Sequence, residues 1–293
     1  MKKLIIIFLF ILIGLFVILT WINWKDEYSA ERKLWHINRR YNISLQNTES
    51  LTDKSAEEIA ESYRKFIQYF PKSTLTPKAQ IILGSVYLVK KNYSQARQEF
   101  QKVFNDYPKN SEVKAEASSG IAKSYELEGN WSKAESWFKD TTRQYSETQA
   151  AFSVPLYIAQ HYEQSKDQFK TSAAYQDALE FYQNLARRSP NSFLEFHALQ
   201  MKVVCHMALN HWAQAVDELE EILNKYPLAA KQITLAINNI ALTQLKDFDR
   251  PIKIYEKFIQ EHPENPINDV LKNMIKYLKQ LKEKNVAVVP PPK

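Results

Sequence analysis

Apolar and polar positions along this chain alternate with the period of a helix, and the helices they predict come in short pairs. Between Pro77 and Lys90, the residues Ile81, Ile82, Leu83, Val86, Tyr87 and Val89 crowd one broad face. Such spacing turns one side of a helix onto a core. A second helix is predicted from Ser94 to Asp106, with Ala96, Phe100, Val103 and Phe104 on its inner side. Ala96 is small enough to let two helices approach, and Phe100 fills the volume beside it. Pro77 suits a first helical turn, where its missing N–H costs nothing. Pro108 turns the chain, because the residue before a proline avoids helical conformation.

The pair then recurs. Tyr87, Ala96, Phe100 and Tyr107 return 38 residues later as Tyr125, Ala134, Phe138 and Tyr145, and the turn Lys90-Lys91-Asn92-Tyr93 returns as Glu128-Gly129-Asn130-Trp131. Pro71, Pro108, Pro190, Pro227 and Pro263 mark other copies, at steps of 37, 82, 37 and 36. A fixed period of this size predicts stacked helical hairpins, each covering its neighbour's apolar face. Residues 155–190 keep Tyr175, Ala178, Tyr182, Leu185 and Pro190, with about six extra residues lengthening a helix or loop near Gln164 to Thr171. Residues 195–227 keep Asn210-His211-Trp212, Ala215, Leu219, Ile222 and Tyr226; residues 229–263 keep Phe248, Tyr255 and Phe258, with Pro251 fitting the start of a second helix. Upstream, Ala56 to Phe70 reads as the second helix of a pair whose first comes from Glu27 to Ile43. Downstream, Ile267, Val270, Leu271, Met274, Ile275, Leu278 and Leu281 predict a closing amphipathic helix over Pro266 to Lys284.

Ahead of the repeats, Leu4 to Leu19 is an unbroken apolar run with few interruptions through Trp24. Its 21 helical residues would rise about 31 Å, enough for a bilayer core of about 30 Å. Trp21 and Trp24 stand where an interfacial aromatic belt would lie. Lys2 and Lys3 precede the run, and no small-residue cleavage site follows it in Thr20-Trp21-Ile22-Asn23-Trp24, so an uncleaved anchor is expected. Counting Lys25, Arg32, Lys33, Arg39 and Arg40 would keep the bulk in the cytoplasm. A short basic head on a first apolar segment instead sends the rest across. Export is the expectation: a single-pass protein of the inner (cytoplasmic) membrane with its bulk extracytoplasmic or periplasmic. The chain divides into a transmembrane signal-anchor at 1–24, a membrane-proximal helix or linker at 25–52, helical repeats with a capping helix at 53–284, and a Pro-rich tail at 285–293.

Composition narrows the chemistry. Only four glycines occur in 293 residues, which disfavours a sheet-rich or phosphate-cradling fold. The net charge of +6 is spread along the chain, so no concentrated basic face for nucleic acid is expected. Cys205 is the one cysteine. It excludes an internal disulfide and falls in the apolar stretch Ala198 to Leu209, where a small buried thiol fits. Cys205, His206 and His211 are the nearest approach to a metal cluster, but their spacing does not put three ligands on one helix face. No nucleophile elbow, P-loop, zincin or dinucleotide fingerprint occurs. Glu57-Glu58 and Glu220-Glu221 are adjacent, so their side chains diverge. No catalytic residue, cofactor, metal or small-molecule substrate is expected. His161 to Lys170, where the repeat is interrupted, is the one region where chemistry could be sought.

Leu83-Gly84, Tyr87, Ala96, Phe100 and Pro108 stand in the order of the tetratricopeptide-repeat signature, and Ile121-Ala122, Tyr125, Ala134 and Phe138 follow it again. The chain resembles that family over residues 53–284. The resemblance implies an all-α fold: a right-handed α-solenoid of helical hairpins behind an N-terminal transmembrane helix, whose concave face is lined by the first helix of each pair. It also implies a scaffold or adaptor that binds protein partners. An anchor followed by such repeats resembles repeat proteins of the bacterial cell envelope. In repeat geometry the groove would be lined by Lys78, Ile81, Ser85 and Leu88 (with Val89), then Glu116, Ser119, Lys123 and Glu126, then His197, Gln200, Val204 and Met207. This mixture lacks the basic ring that clamps a C-terminal carboxylate. A partner's helix or extended apolar segment fits it better. The lipid bilayer, through residues 4–24, is the other expected partner. The alternative is a permanent structural subunit of a larger membrane complex.

Overall fold

The computed structural model describes residues 12–14, 16, 27–46 and 52–286. Most of the expected membrane span and the residues from 287 onward lie outside the described residues. Among those described, every regular element is helical, and no helix is long and apolar enough to cross a membrane. The chain divides into two compact units, Met1–Val154 and Pro155–Lys293.

The first unit contains α1 (Glu27–Gln46), α2 (Asp53–Tyr69), α3 (Thr76–Val89), α4 (Tyr93–Asp106), α5 (Ser111–Leu127), α6 (Trp131–Gln144) and the start of α7 (Gln149–Gln164). From α1 to α6 each helix packs on the next, and α3 also packs on α5. This is the connectivity of stacked hairpins. Leu34, Ile37 and Tyr41 of α1 meet Ile59, Tyr63 and Phe66 of α2 in a continuous core that runs on through Leu83, Tyr87 and Phe100. Phe100 is the wedge between α3 and α5. A Cβ on Gly84 would come within 2.6 Å of its ring, and one on Gly120 within 2.5 Å. Glycine inside a helix costs roughly 0.5–1 kcal/mol relative to alanine. Here it lets one aromatic ring seat against two backbones.

Polar links tie helices both within a hairpin and between successive ones. Tyr63 donates to Asn38 Oδ1 at 2.7 Å, and Arg64 Nη2 donates to the Tyr87 hydroxyl at 2.9 Å. Lys90, at the end of α3, pairs with Glu57 of α2. Glu128, 38 residues later at the end of α5, pairs with Arg97 of α4 at 2.9 Å. The same link is made twice, with the charges exchanged.

The second unit contains the rest of α7, then α8 (Gln168–Arg188), α9 (Phe193–Ala208) and α10 (Trp212–Lys225). A 3-10 turn at Pro227–Ala229 leads into α11 (Ala230–Ile240), which widens into a π turn at Ala241–Leu245. Helices α12 (Asp249–Glu261) and α13 (Asn268–Val286) follow. Tyr182, Leu185, Ile222, Leu223, Ile237, Tyr255 and Phe258 are fully buried. The Tyr255 hydroxyl bonds Thr234 O at 2.9 Å and Asn238 Oδ1 at 2.8 Å, so its polar tip is satisfied inside the core. Cys205 is buried, as a small thiol on an apolar helix should be.

The repeat is written in the backbone as well. From α3 onward, the turn inside each hairpin holds one residue in the left-handed region: Lys91, Gly129, Lys166, Asn210 and Lys246. Their steps are 38, 37, 44 and 36. The long step contains the insertion, which the chain absorbs by extending α8 to 21 residues against 14 in α4 and α6. After the left-handed residue, Asn92, Asn130 and Asp167 cap the second helix by accepting from Gln95, Lys133 and Lys170 N–H groups. This satisfies donors that the first helical turn leaves open.

Candidate partner-binding surface

In the first unit, α3 and α5 are the first helices of successive hairpins. Lys78, Ile81, Ser85 and Leu88 correspond, 38 residues on, to Glu116, Ser119, Lys123 and Glu126. The structure places Lys78 at the surface, Ile81 in the core, and Ser85 and Leu88 at intermediate depth. Ser85 Oγ donates back to Ile81 O at 3.1 Å. Lys123 pairs with Glu126 at 2.8 Å, and Glu112 accepts from the Gln149 N–H at 3.2 Å. Partial burial pushes the Glu116 carboxyl above its ordinary range; Lys78 pulls it back and Glu112 pushes it up again. Ser119 Oγ is buried without a hydrogen bond inside the protein. The α5 side of this face is therefore polar and largely self-paired.

In the second unit, α9 presents a different face. His197, Gln200, Val204 and Met207 lie on one outward stripe, and Phe193 heads it, with steps of 4, 3, 4 and 3. These steps keep side chains on one side of a helix. Phe193 is 79 % exposed, and its ring lies 4.0 Å from that of His197. His197 Nδ1 and Gln200 Oε1 are 3.1 Å apart. Ala198, Leu199 and Cys205 fill the opposite, buried side.

Buried charge fixes this helix. Ser192 caps it by accepting from the Glu195 N–H at 3.0 Å. The buried Glu195 carboxylate accepts from Asn191 N at 2.6 Å, Lys225 Nζ at 2.6 Å and the Tyr226 hydroxyl at 2.7 Å. Burial alone would push this carboxyl up; Lys225, Tyr226 and the Asn191 N–H outweigh it and hold it below the usual range. Further along, Lys202 pairs with Glu218 at 2.7 Å. Burial, helped by His211 and Lys202 and opposed by Asp217, lowers the His206 imidazole. Burial pushes the Cys205 thiol up to about 12, so it is no nucleophile. Among the described residues, no group of three or more His, Cys, Asp and Glu side chains could hold a metal.

Exposed apolar side chains also stand on α13 and on α11 with the turn that leads into it. Leu228 is fully exposed and Leu235 is 60 % exposed, with Lys231 between them. Val270 and Tyr277 of α13 are also exposed. Leu228, Lys231, Pro266, Ile267 and Val270 line an open cavity of ≈ 390 Å³. Asn265 Nδ2 donates to Pro227 O at 3.2 Å, and Asn268 Nδ2 to His262 O at 2.8 Å, which fixes the cavity's rim. Val270 corrects the expected core face of the closing helix: Leu271, Ile275 and Leu278 point inward, and Val270 faces solvent. Leu228 escapes a helical reading because it sits in the 3-10 turn after Pro227. Phe193 carried a readable signal, one turn ahead of His197 on the same stripe.

With this geometry in view, residues 78–110 match the family described as "Tetratricopeptide repeat", and residues 164–281 match the family described as "Coatomer epsilon subunit". Residues 78–110 thus carry a tetratricopeptide-type repeat within a chain whose described residues form only helices and turns. No curated protein matches it. Solved structures similar to it include yeast Tom70, at 16% identity, covering 89% of this chain and 63% of that one, with a TM-score of 0.41. The TPR2AB-domain:pHSP90 complex of yeast Sti1 is similar at 10% identity, covering 87% of this chain and 100% of that one, with a TM-score of 0.36. The C-terminal part of a TPR repeat-containing protein from Cytophaga hutchinsonii is similar at 12% identity, covering 92% and 97%, with a TM-score of 0.45. The chain spans less than two thirds of the Tom70 chain.

Proposed function

We propose that this protein is a non-enzymatic scaffold that binds protein partners with the first-helix face of its hairpins. Residues 4–24 tether it to the inner membrane, with the bulk on the extracytoplasmic side of a bacterial envelope. One observation carries the binding reading. Seven of the eight large apolar side chains exposed among the described residues of the second unit lie on α9, on α13, or on α11 with its leading turn; α10 and α12 carry none. Random surface hydrophobics would scatter over all helices. Apolar side chains gathered on one class of helix offer a partner's apolar helix or extended segment a place to leave water. A photo-crosslinking residue at Leu235 should capture a partner, whereas one at the exposed Lys253 of α12 should not. Leu228→Asp with Val270→Asp should abolish the crosslink. Equal crosslinking from both positions would refute the assignment. The tether is tested by alkaline washing of membranes, which should leave the full chain behind. Orientation is tested by protease access to an epitope at Lys293 in intact against permeabilised cells.

A second reading is a permanent subunit of a larger membrane complex. The match of residues 164–281 to a family described as a coatomer subunit favours it. In that case detergent-solubilised protein would never elute alone on size exclusion, whereas an exchanging scaffold would.

A further inference from the structure

We propose that the outward face of α1 lies on an anionic lipid surface, a placement that rests on the reading of residues 4–24 as membrane-spanning. The inner side of α1 is sealed, since Ala30, Leu34, Ile37 and Tyr41 are buried against the unit's core. The outer side is not. Tyr28, Trp35 and Ile43 are 71 %, 53 % and 55 % exposed and recur at steps of seven and eight, along one line opposite the core. Arg32 and Arg39 stand on the same side, also seven apart and exposed. The Arg39 guanidinium lies 5.4 Å from the centroid of the Trp35 ring. Aromatic and branched side chains interleaved with long cationic ones are what an interfacial helix needs. The rings enter the boundary between headgroups and chains, while the cations reach the phosphates.

Charge and reach select the occupant. Helix α1 carries Arg32, Lys33, Arg39 and Arg40 against Glu27 and Glu31; Arg40 pairs with Glu58 of α2 at 3.8 Å, so Arg32 and Arg39 supply the outward charge. Glu27 is tied to the first unit, accepting from the Thr74 N–H at 3.1 Å. The outward face is thus basic and suits an anionic surface. Only Lys25 and Asp26 separate Trp24 from Glu27, so the chain there spans at most about 11 Å. A span ending at Trp24 therefore delivers the start of α1 to the headgroups. Laid flat, a helix of 20 residues covers about 30 Å, and all five side chains touch the surface together.

The test uses the full chain, reconstituted into vesicles of phosphatidylcholine alone or with about one third phosphatidylglycerol. An environment-sensitive fluorophore is attached through Ile43→Cys; Cys205 is buried and stays unlabelled. In anionic vesicles the emission should shift to the blue and be quenched by nitroxide-labelled lipid. The shift should weaken at high salt and vanish with Arg32→Glu and Arg39→Glu. The same label through Lys109→Cys, at an exposed turn, should remain wet. A wet label at position 43 in both vesicle types, on chain that resists alkaline washing, overturns the placement and leaves the anchor standing. Chain stripped from both vesicle types overturns the anchor and the placement together. A label shielded in native membranes but wet in pure lipid assigns the face to a protein and overturns the proposal.

Discussion

The two units share one backbone plan and treat their first helices differently. In the first, α5 sets Glu116 and the Lys123–Glu126 pair where α3 has Lys78, Ser85 and Leu88, so charge is answered inside the unit. In the second, α9, α11 and α13 leave Phe193, Leu235 and Tyr277 in water. The framework of turns, caps and buried tyrosines is common to both, so it does not decide what the surface offers. The contrast teaches that the positions left over by packing are where a repeat acquires a role. On α9, α11 and α13 the second unit exposes apolar area of the kind that drives association, while α5 of the first exposes charges of the kind that order and orient.

Substitutions in either unit put this contrast to the test. The largest effect is expected from Phe100→Ala. Removing a wedge seated on Gly84 and Gly120 should cost about 3–5 kcal/mol. Hydrogen exchange should show lost protection in α3 to α5, while α9 to α12 keep theirs; equal loss in both would mean that the two units are one cooperative body. Next comes Glu195→Gln, which leaves Lys225 and Tyr226 facing a neutral amide and should cost about 2–3 kcal/mol at neutral pH. The folded carboxyl lies below its ordinary value, so its contribution is complete above the unfolded pKa. That contribution fades as pH falls through the lower folded one. Urea midpoints of wild type and variant should therefore converge in acid.

Glu116→Gln should behave in the opposite sense. Its carboxyl is raised, so the fold holds that proton more tightly and loses stability as pH rises past the ordinary carboxylate range. The amide should stabilise by under about 1 kcal/mol at neutral pH, given solvent screening, and by nothing in acid. A destabilised Glu116→Gln would mean that the charge is needed on that face. The smallest effect is expected from Lys91→Gly and Lys246→Gly, one in each unit. Both relieve a left-handed residue, and the gain, net of glycine's entropy, should be about 0.5 kcal/mol each by thermal melting.

The helices and their period were readable because small, aromatic and proline residues mark the places where hairpins touch. Phe100 announces its own pocket through Gly84, although Gly120, from the next hairpin, is visible only in three dimensions. The insertion was readable as a broken interval, with a longer helix and a longer loop both open, and α8 takes it up as helix. The surface was readable on α9, whose regular stripe follows helical spacing. It was not readable on α11 and α13, where Pro227 restarts the chain as a 3-10 turn and Val270 imitates a core residue. Ion pairs such as Lys90–Glu57 escape sequence reading altogether, since 33 residues separate partners that only stacking unites.

The exchanged charges of those links have a consequence for assembly. Were the hairpin of α5 and α6 to dock in the place of its predecessor, Glu128 would meet Glu57. Like charges brought together in this way penalise the wrong neighbour. The sequence thereby numbers its own modules, and a chain built from look-alike parts can tell the order in which they belong.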